Sequence, residues 1–427
     1  MDSTMQAVLQ FVEENDVKFI RLAFCDVMGT LKNIAIMPSE LPRAFETGVS
    51  FDASSILGFA PVDKSDLFLF PDAATLSVLP WRPQTGRVVR FFCSVRTADG
   101  SPYGADGRHI LRRTLRRLAD AGYECRVGAE CEFYLFERDA EGRPTKRPQD
   151  NGGYFDVAPL DRGEEMNIRP ESSHHEQGPG QNEVDFKHAA PLTAADDVIT
   201  FKNVVKTVAA RNGLYGSFSP KPLADKPGSG MHVNISLARG GRNIFAPGPD
   251  GAYSPAMRSF IAGVLARAGE ICAFTNPVPG SYARFGSFEA PRYVAWSHQN
   301  RSQLIRIPAA PAPEYARIEV RMPDVSCNPY LAFALLLAAG FEGMERKMEL
   351  AEETPYDLYT ANAGALEALP ASLEEAIARA GGSAFVEKVL SADTARKYLA
   401  LKQAEQNRWF AARDKEKYQD EAYFGVL

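Results

Sequence analysis

The sequence predicts an α+β fold in two domains, and three observations carry that expectation. Helical and strand-like patterns alternate irregularly along the 427 residues, which disfavours a doubly wound parallel sheet. The Gly/Pro/Ser-rich stretch from Ala98 to Gly107 reads as a linker after a first domain of roughly 100 residues. The third observation is the strand Gly128 to Phe136. Side chains alternate along a strand, so Glu130 and Glu132 share one face while Cys131 and Phe133 take the other. The strand closes on the apolar run Phe133 to Phe136, which suggests burial, and buried neighbouring carboxylates repel unless a cation lies beside them. A lone Glu-x-Glu is more often a solvated surface pair, so the weight falls on what accompanies it.

The elements follow in order. Ser3 or Thr4 can cap a helix carrying Val8, Leu9, Phe11 and Val12. Val17 to Phe24 and Leu31 to Met37 read as strands joined by a turn at Asp26-Val27-Met28-Gly29. A short helix is expected from Ser39 to Thr47, a polar loop from Gly48 to Ser55, and a strand from Arg87 to Arg96. Past the linker, Arg108 to Ala121 reads as an amphipathic helix whose Arg108, Arg112, Arg113, Arg116 and Arg117 form a solvated face. Arg138 to Asn151 reads as a charged loop, and Thr193 to Asn212 as a helix with Asp196 and Asp197 in its first turn. Strands are expected at Met231 to Leu237, Leu304 to Ile307 and Arg317 to Met322. Helices are expected at Ser254 to Phe274, Asn328 to Leu350 and Thr394 to Ala411, with a capping box at Ser372 to Glu375.

Composition narrows the function. A net charge of −6 argues against a general nucleic-acid or anionic-membrane binder. The six cysteines show no Cys-x-x-Cys spacing, so neither a zinc site nor a disulfide framework is indicated, and a reducing cytoplasm fits. No secretion signal is read at Met1-Asp2-Ser3-Thr4, and the longest apolar run, Tyr330 to Phe341, is too short to span a bilayer.

Further metal-type residues lie downstream of the Glu130/Glu132 strand. In His174-His175-Glu176 and Gly178-Pro179-Gly180-Gln181-Asn182-Glu183, a glycine-rich turn can bring Glu176 and Glu183 toward one point. His232 shares a strand face with Asn234 and Ser236, and Arg317, Glu319 and Arg321 share another. Singly, His232 is more often a satisfied core histidine and Arg317-Glu319-Arg321 an ion-pair ladder. Together, five carboxylates and one imidazole suit Mg2+ or Mn2+ better than zinc or copper. Arg284, Arg292, Arg301, Arg306, Arg317 and Arg321 add planar cations suited to an anionic substrate and phosphoryl transfer. No Walker A loop or kinase glycine loop is present.

Six motifs then run in one order: Glu130-x-Glu132, His174-His175-Glu176 with Gly180-Gln181-Asn182-Glu183, Gly228-Ser229-Gly230-Met231-His232, Phe288-Glu289-Ala290-Pro291, Asn300-Arg301-Ser302 with Ile305-Arg306-Ile307-Pro308, and Arg317-Ile318-Glu319-Val320-Arg321. In this order they resemble glutamine synthetase of the prokaryotic type, in a family that includes γ-glutamyl-amine ligases, and the resemblance runs from about Val17 to the C-terminus. It implies an N-terminal β-grasp domain over 1–98 and a catalytic domain over 105–427 with a curved antiparallel sheet, the glutamine synthetase/guanido kinase-like architecture. It implies a cytoplasmic enzyme of nitrogen metabolism that makes glutamine from glutamate, ammonium and ATP. Two or three Mg2+ or Mn2+ ions would serve each site, and sites would be shared between subunits of a homo-oligomer, a dodecamer of two rings.

Position by position, the resemblance makes Glu132, Glu176 and Glu183 ligands of the metal facing glutamate, and Glu130, His232 and Glu319 ligands of the metal beside the ATP phosphates. Arg284, Arg321 and Gly228 would bind glutamate; Arg301, Arg306 and Arg317 would neutralise phosphates; Glu171 and Ser236 would contact the nucleotide. Glu289 would close the site, while Asp52 and Ser55 from the adjacent subunit, with Tyr154 and Glu176, would surround ammonium. Asp52 would take its proton, and the resulting ammonia would attack γ-glutamyl phosphate.

Some positions depart from the pattern. The segment between Asp161 and Glu171 is too short for the family's helix and strand, Pro227 and Asn234 replace an Asn and a frequent second His, and Gly280 replaces another Asn. The stretch from Arg284 to Glu289 is one residue short, and Glu314 stands at a phosphate-site lysine. Tyr356 lies where some members are adenylylated, in different flanking sequence. Two rival readings follow: a γ-glutamyl ligase using a monoamine or polyamine, and a catalytically inactive structural or regulatory assembly. The first needs room for a carbon chain where Asp52, Ser55, Tyr154 and Glu176 fit a small cation. The second predicts broken metal ligands, and all six positions are filled.

Overall fold

Hydrophobic alternation in the first hundred residues builds a sheet with one face closed by helices. The computed structural model describes residues 3–79, 86–156, 170–361 and 363–427. The chain divides into two compact units, the first ending at Ile110 and the second beginning at Leu111. The shortened segment between Asp161 and Glu171 lies almost wholly outside the described residues.

In the first unit, α1 (Ser3–Glu14) precedes β1 (Val17–Cys25), β2 (Leu31–Ile36), α2 (Leu41–Thr47), β3 (Val49–Asp52), β4 (Asp66–Pro71), β5 (Ser77–Val78) and β6 (Arg87–Arg96). The strand order is β2-β1-β6-β4-β3 with β5 also on β6, and only β1 and β6 pair in parallel. Val8 and Val12 of α1 and Leu41 and Ala44 of α2 pack with Ile20, Leu22 and Phe91 in one apolar cluster. The β1–β2 turn is set by Asp26, whose Oδ1 accepts the amides of Met28 and Thr30 at 3.0 and 2.9 Å, and by Gly29 at φ 85°. Residues 48–55 are not wholly a loop, as the small polar residues suggest. Val49 and Phe51 pair with β4 as β3, a strand too short for composition to reveal.

The second unit contains α3 (Gly107–Asp120, which starts before the boundary), β7 (Glu124–Arg138), β8 (Pro144–Pro148), β9 (Pro170–His175), β10 (Gln181–Phe186), α4 (Pro191–Arg211), β11 (Leu214–Ser217), β12 (Met231–Arg239) and β13 (Arg242–Asn243). It continues with α5 (Pro255–Thr275), α6 (Pro279–Tyr282), β14 (Trp296–His298), β15 (Ile305–Ile307), β16 (Ile318–Val320), α7 (Pro329–Glu345), α8 (Leu373–Ala380), α9 (Ala384–Leu390), α10 (Ala392–Ala411) and α11 (Lys415–Gln419). Its sheet runs β14-β15-β16-β12-β7-β10-β9, with β8 and β11 also on β7 and β13 on β12. All these pairs are antiparallel except β14–β15.

The spine is β7, fifteen residues long. Its odd face packs on α4, where Phe133 meets Phe201 edge-on at 5.6 Å. Its even face is left for Glu130 and Glu132. Beyond the sheet, α5 and α7 approach backbone to backbone: a Cβ on Gly263 would lie 2.8 Å from Gly343 Cα, so both positions need glycine.

Several expectations change. The arginines of α3 do not form a solvated face: Arg108 is buried and paired with Asp72 at 3.1 Å, Arg113 donates to Val389 O, Arg117 reaches Glu345 at 3.3 Å, and only Arg116 is exposed. Periodicity found the helix but could not foresee which neighbours cover its polar side. Part of the loop after Arg138 is β8, paired with β7. Helix α4 starts at Pro191, which moves Asp196 and Asp197 out of its first turn, and Asp196 instead accepts from Tyr330 Oη at 2.6 Å. Helix α7 stops at Glu345 rather than Leu350, because Lys347 takes φ 51° and the Met348 amide turns back to Gly343 O at 2.9 Å. Ser372 caps α8, but Glu375 reaches back to the amide of Ala371 instead of Ser372. Among the described residues no helix is long and apolar enough to cross a membrane.

Candidate active site

Register gathers the acids. Facing residues of antiparallel strands put their side chains on the same side of the sheet. Glu132 of β7 faces Glu183 of β10, and Glu130 faces both Asp185 of β10 and His232 of β12. One strand further out on each side, His174 faces Glu183, while Asn234 and Arg306 both pair with Glu319 of β16. One sheet face therefore carries every strand-borne acid of the motifs. It forms the floor of a 540 Å³ cavity whose lining comes wholly from the second unit.

Two groups of ligand atoms lie together there, each with all atoms within 4.8 Å of one another: Glu130, His232 and Glu319, and His174, Glu176 and Glu183. A third such set, Glu130, Glu183 and Asp185, links them. Glu132 stands outside all three. Its Oε2 accepts the Gly230 amide at 2.7 Å, and its Oε1 lies 3.7 Å from His232 Nε2. A Cβ on Gly230 would sit 2.7 Å from Arg284 Nη2 and 2.9 Å from His232 Nε2, so any larger residue just before β12 would displace these two groups.

Burial and neighbouring charge set the protonation pattern. Burial, followed by the Glu319 charge, raises Glu130 to about 7. Burial raises Glu132 as well, and burial with Glu132 holds Glu183 well above the usual carboxylate range. Burial alone would raise Glu319, but the Arg321 and Arg306 guanidiniums against it bring it to about 2. Burial, then Arg321, pushes His232 down to about 4, so its imidazole is neutral near pH 7. Raised carboxylates packed together with a neutral imidazole are a donor set for a hard divalent cation. The buried Oδ1 of Asp185, without a hydrogen-bond partner among the described residues, supports that fit.

Around the floor stand cations. Arg321 is 1% exposed, ion-paired with Glu319 and hydrogen-bonded to the carbonyls of Arg301 and Glu289, each at 3.1 Å. Arg306 keeps its Nε buried without a partner among the described residues. Arg317 Nε donates to Asn234 Oδ1 at 2.9 Å, whose Nδ2 donates to Glu130 Oε1 at 2.7 Å, so the expected Arg-Glu-Arg ladder is realised only at Arg321. Arg284 lines the cavity while two of its nitrogens hold the carbonyls of Met322 and Arg321 at 2.9 and 3.0 Å. Gly228 and Arg301 line it too. Glu289 is another lining residue, with Gln177 Nε2 at 3.4 Å and Arg301 Nη1 at 3.7 Å from its carboxylate. Tyr154 packs against Phe155 with their rings tilted and centroids 4.0 Å apart, beside His174.

Five expected residues are not among the lining, the first being Glu319, which is 1% exposed and held by Arg321 and Arg306. Asp52 ends β3 in the first unit, its Oδ1 accepting the Ser54 amide at 2.9 Å, and Ser55 follows in the loop. Glu171 is exposed at the register shift between β9 and β10, and half-buried Ser236 lies two residues beyond Asn234. Conversely, His174, Gln181 and Asp185 had no assigned role. Period-two spacing from Glu176 and from Glu183 would have flagged His174 and Asp185. Gln181 gave no signal, although its Nε2 donates to Gly228 O at 3.0 Å.

The model "Glutamine synthetase, beta-Grasp domain" matches residues 16–98, and "Glutamine synthetase, catalytic domain" matches residues 104–420. A glutamine synthetase of Methanosarcina mazei is 44% identical over 96% of this chain and 95% of its own. One of Clostridium saccharobutylicum is 43% identical over 94% and 95%. A solved GmaS/ADP complex superposes with a TM-score of 0.86 at 26% identity, covering 97% of this chain and 98% of the other.

Proposed function

The chain belongs to the glutamine synthetase family, and on that premise we propose which of its residues carry out the reaction. The protein is an ATP-dependent glutamate–ammonia ligase that uses a divalent cation. The observation that supports the site assignment is the pair of three-residue ligand groups, Glu130 with His232 and Glu319 and His174 with Glu176 and Glu183, with arginines flanking the first.

Glu130, His232 and Glu319 hold a metal on the phosphate side. Glu176 and Glu183, with Glu132 and the newly placed His174, hold one on the glutamate side. Mg2+ or Mn2+, two or three per site, suits these donors and would supply charge neutralisation for phosphoryl transfer. Arg284, Arg321 and Gly228 orient glutamate, and Arg301, Arg306 and Arg317 spread the charge of the moving phosphoryl group. The unpartnered Nε of Arg306 is a donor suited to a phosphate oxygen. Glu171 and Ser236 contact the nucleotide. γ-Glutamyl phosphate hydrolyses in contact with water, so Glu289 covers it. Asp52 accepts the ammonium proton, and Ser55, Tyr154 and Glu176 complete the acceptor pocket. Asp52 and Ser55 come from a neighbouring copy in a ring, two rings making a dodecamer in the cytoplasm.

A second reading, a γ-glutamyl ligase that takes an amine, has one observation in its favour: Pro227, which departs from the family pattern, lines the cavity beside Gly228. One assay separates the two. Glutamate-dependent phosphate release from ATP is measured with ammonium, methylamine, ethanolamine and putrescine. Preference for ammonium is the expected result, a strong preference for an amine establishes the second reading, and no glutamate-dependent release refutes both.

A further inference from the structure

Two loops that border the cavity meet at one buried ammonium. Lys221 lies between β11 and β12, flanked by Pro220 and Pro222, and its side chain is buried. Prolines on either side restrict its backbone, so the side chain leaves the loop in a fixed direction. Its Nζ donates to Lys226 O, closing a turn that ends immediately before Pro227 and Gly228. The same loop is tied again by the Ser229 amide to Pro220 O at 2.9 Å. Both Pro227 and Gly228 line the cavity.

On its other side, Lys221 Nζ sits 4.8 Å from the centroid of the Phe288 ring. Phe288 belongs to the loop that carries Glu289. That loop is closed on itself by Gly286 N to Ala290 O at 3.0 Å and Ala290 N to Ser287 O at 3.1 Å. Gly286, Phe288 and Glu289 take φ of 85°, 48° and 64°. Two consecutive non-glycine residues in the left-handed region cost energy and persist only where outside contacts hold them. The main-chain tether is Arg321 Nη2 on Glu289 O, and the side-chain tether of Phe288 is Lys221.

We propose that Lys221 is a positioning residue whose ammonium fastens the Phe288–Glu289 loop to the Pro227–Gly228 loop, so that both close together over the activated glutamate and exclude water. The inference rests on the ligase reading above. Burial, and after it the charge of Arg284, makes the ammonium costly to keep ionised, so an aromatic face beside it offsets part of that cost. No bond is made or broken by Lys221. Its effect is on the fate of γ-glutamyl phosphate, attacked by ammonia when the loops are closed and hydrolysed to glutamate and phosphate when they are not.

The test measures phosphate released per glutamine formed at saturating ATP, glutamate and ammonium, together with KM for glutamate, in the full-length assembled enzyme. Wild type should be stoichiometric. Lys221→Met and Phe288→Leu should both release excess phosphate, and Lys221→Met should also raise KM for glutamate by on the order of tenfold, because it frees the Gly228 loop too. Phe288→Leu should leave that KM within about twofold. Lys221→Arg and Phe288→Tyr, which keep a cation against an aromatic face, should restore coupling. A lysine serving only stability would lower the melting temperature without changing the ratio. The Phe288 side chain is half exposed, so Phe288→Leu keeps the question answerable if Lys221→Met does not fold. Stoichiometric coupling in Phe288→Leu overturns this proposal alone. A wild type without glutamate-dependent phosphate release overturns the ligase reading and this proposal with it.

Discussion

The two ligand groups, Glu130 with His232 and Glu319 and His174 with Glu176 and Glu183, use the same residue types but balance their charge differently. On the phosphate side, Glu319 is 1% exposed and paired with both Arg321 and Arg306, and Glu130 receives Asn234. On the glutamate side, Glu132, Glu176 and Glu183 have no arginine or lysine within ion-pair distance among the described residues. Their nearest ring-nitrogen neighbours are the imidazoles of His174 and His232 at 3.6 to 3.9 Å. The first group carries its own cations, which hold Glu319 ionised. The second leaves mutual repulsion that an added cation would relieve. One half is thus organised by the fold and the other depends on what binds.

Substitutions that remove one carboxylate from each half test this contrast most severely. Glu319→Gln leaves Arg321 and Arg306 buried without their partner, so it should cost about 3–5 kcal/mol in chemical denaturation of the metal-free protein and abolish turnover. Glu183→Gln should also abolish turnover but leave metal-free stability unchanged or raised by about 1 kcal/mol, since it removes a carboxyl whose ionised form is disfavoured by burial and by Glu132. Equal losses of stability would end the distinction. Glu132→Gln should behave like Glu183→Gln, losing ligation while keeping the fold.

Metal addition gives the next largest effect. Wild type stripped with EDTA and titrated with Mn2+ should gain about 2.7 kcal/mol at a hundredfold excess over Kd, read as a rise in melting temperature. Glu183→Gln should lose most of that gain, and a gain as large as wild type's would show that the glutamate-side group is not where the ion acts. A smaller change is expected at Asn234, which bridges Arg317 to Glu130. Asn234→Ala should cost about 1–2 kcal/mol and raise KM for ATP while leaving KM for glutamate unchanged in steady-state kinetics. The smallest is Ser172→Ala, which removes the hydroxyl bound to Asp185 on an exposed part of the glutamate-side edge and should change stability by less than about 0.5 kcal/mol.

Much of the site was legible because its chemistry is written in strands. Period-two alternation put Glu130 beside Glu132 and His232 beside Asn234, and the buried helices announced themselves by apolar runs such as Tyr330 to Phe341. The misreadings share a cause. Val49 to Asp52 and Pro144 to Pro148 are short edge segments whose strand character comes from the partner and not from their own composition. Arg108 looked solvated because its partner Asp72 lies thirty-six residues earlier in the chain, beyond any local window. Phe288 entered only as a position in the Phe288-Glu289-Ala290-Pro291 motif, and nothing local could show that Lys221 reaches its ring from another loop.

By itself the sequence determined which residue types lie on which strand face, and the order of motifs that identified the family. These are local properties, fixed by backbone geometry over a few residues. Tertiary structure alone decided the register: that Glu132 faces Glu183, that Glu130 faces His232 and Asp185, and that Arg306 and Asn234 meet Glu319. A one-residue slip in any of those pairings would turn that strand's ligands to the opposite face. Register is chosen by burial of the odd face against α4 and of the neighbouring strands in the core, a non-local balance that no single strand carries. That choice gives Glu319 its arginines and leaves Glu183 without them.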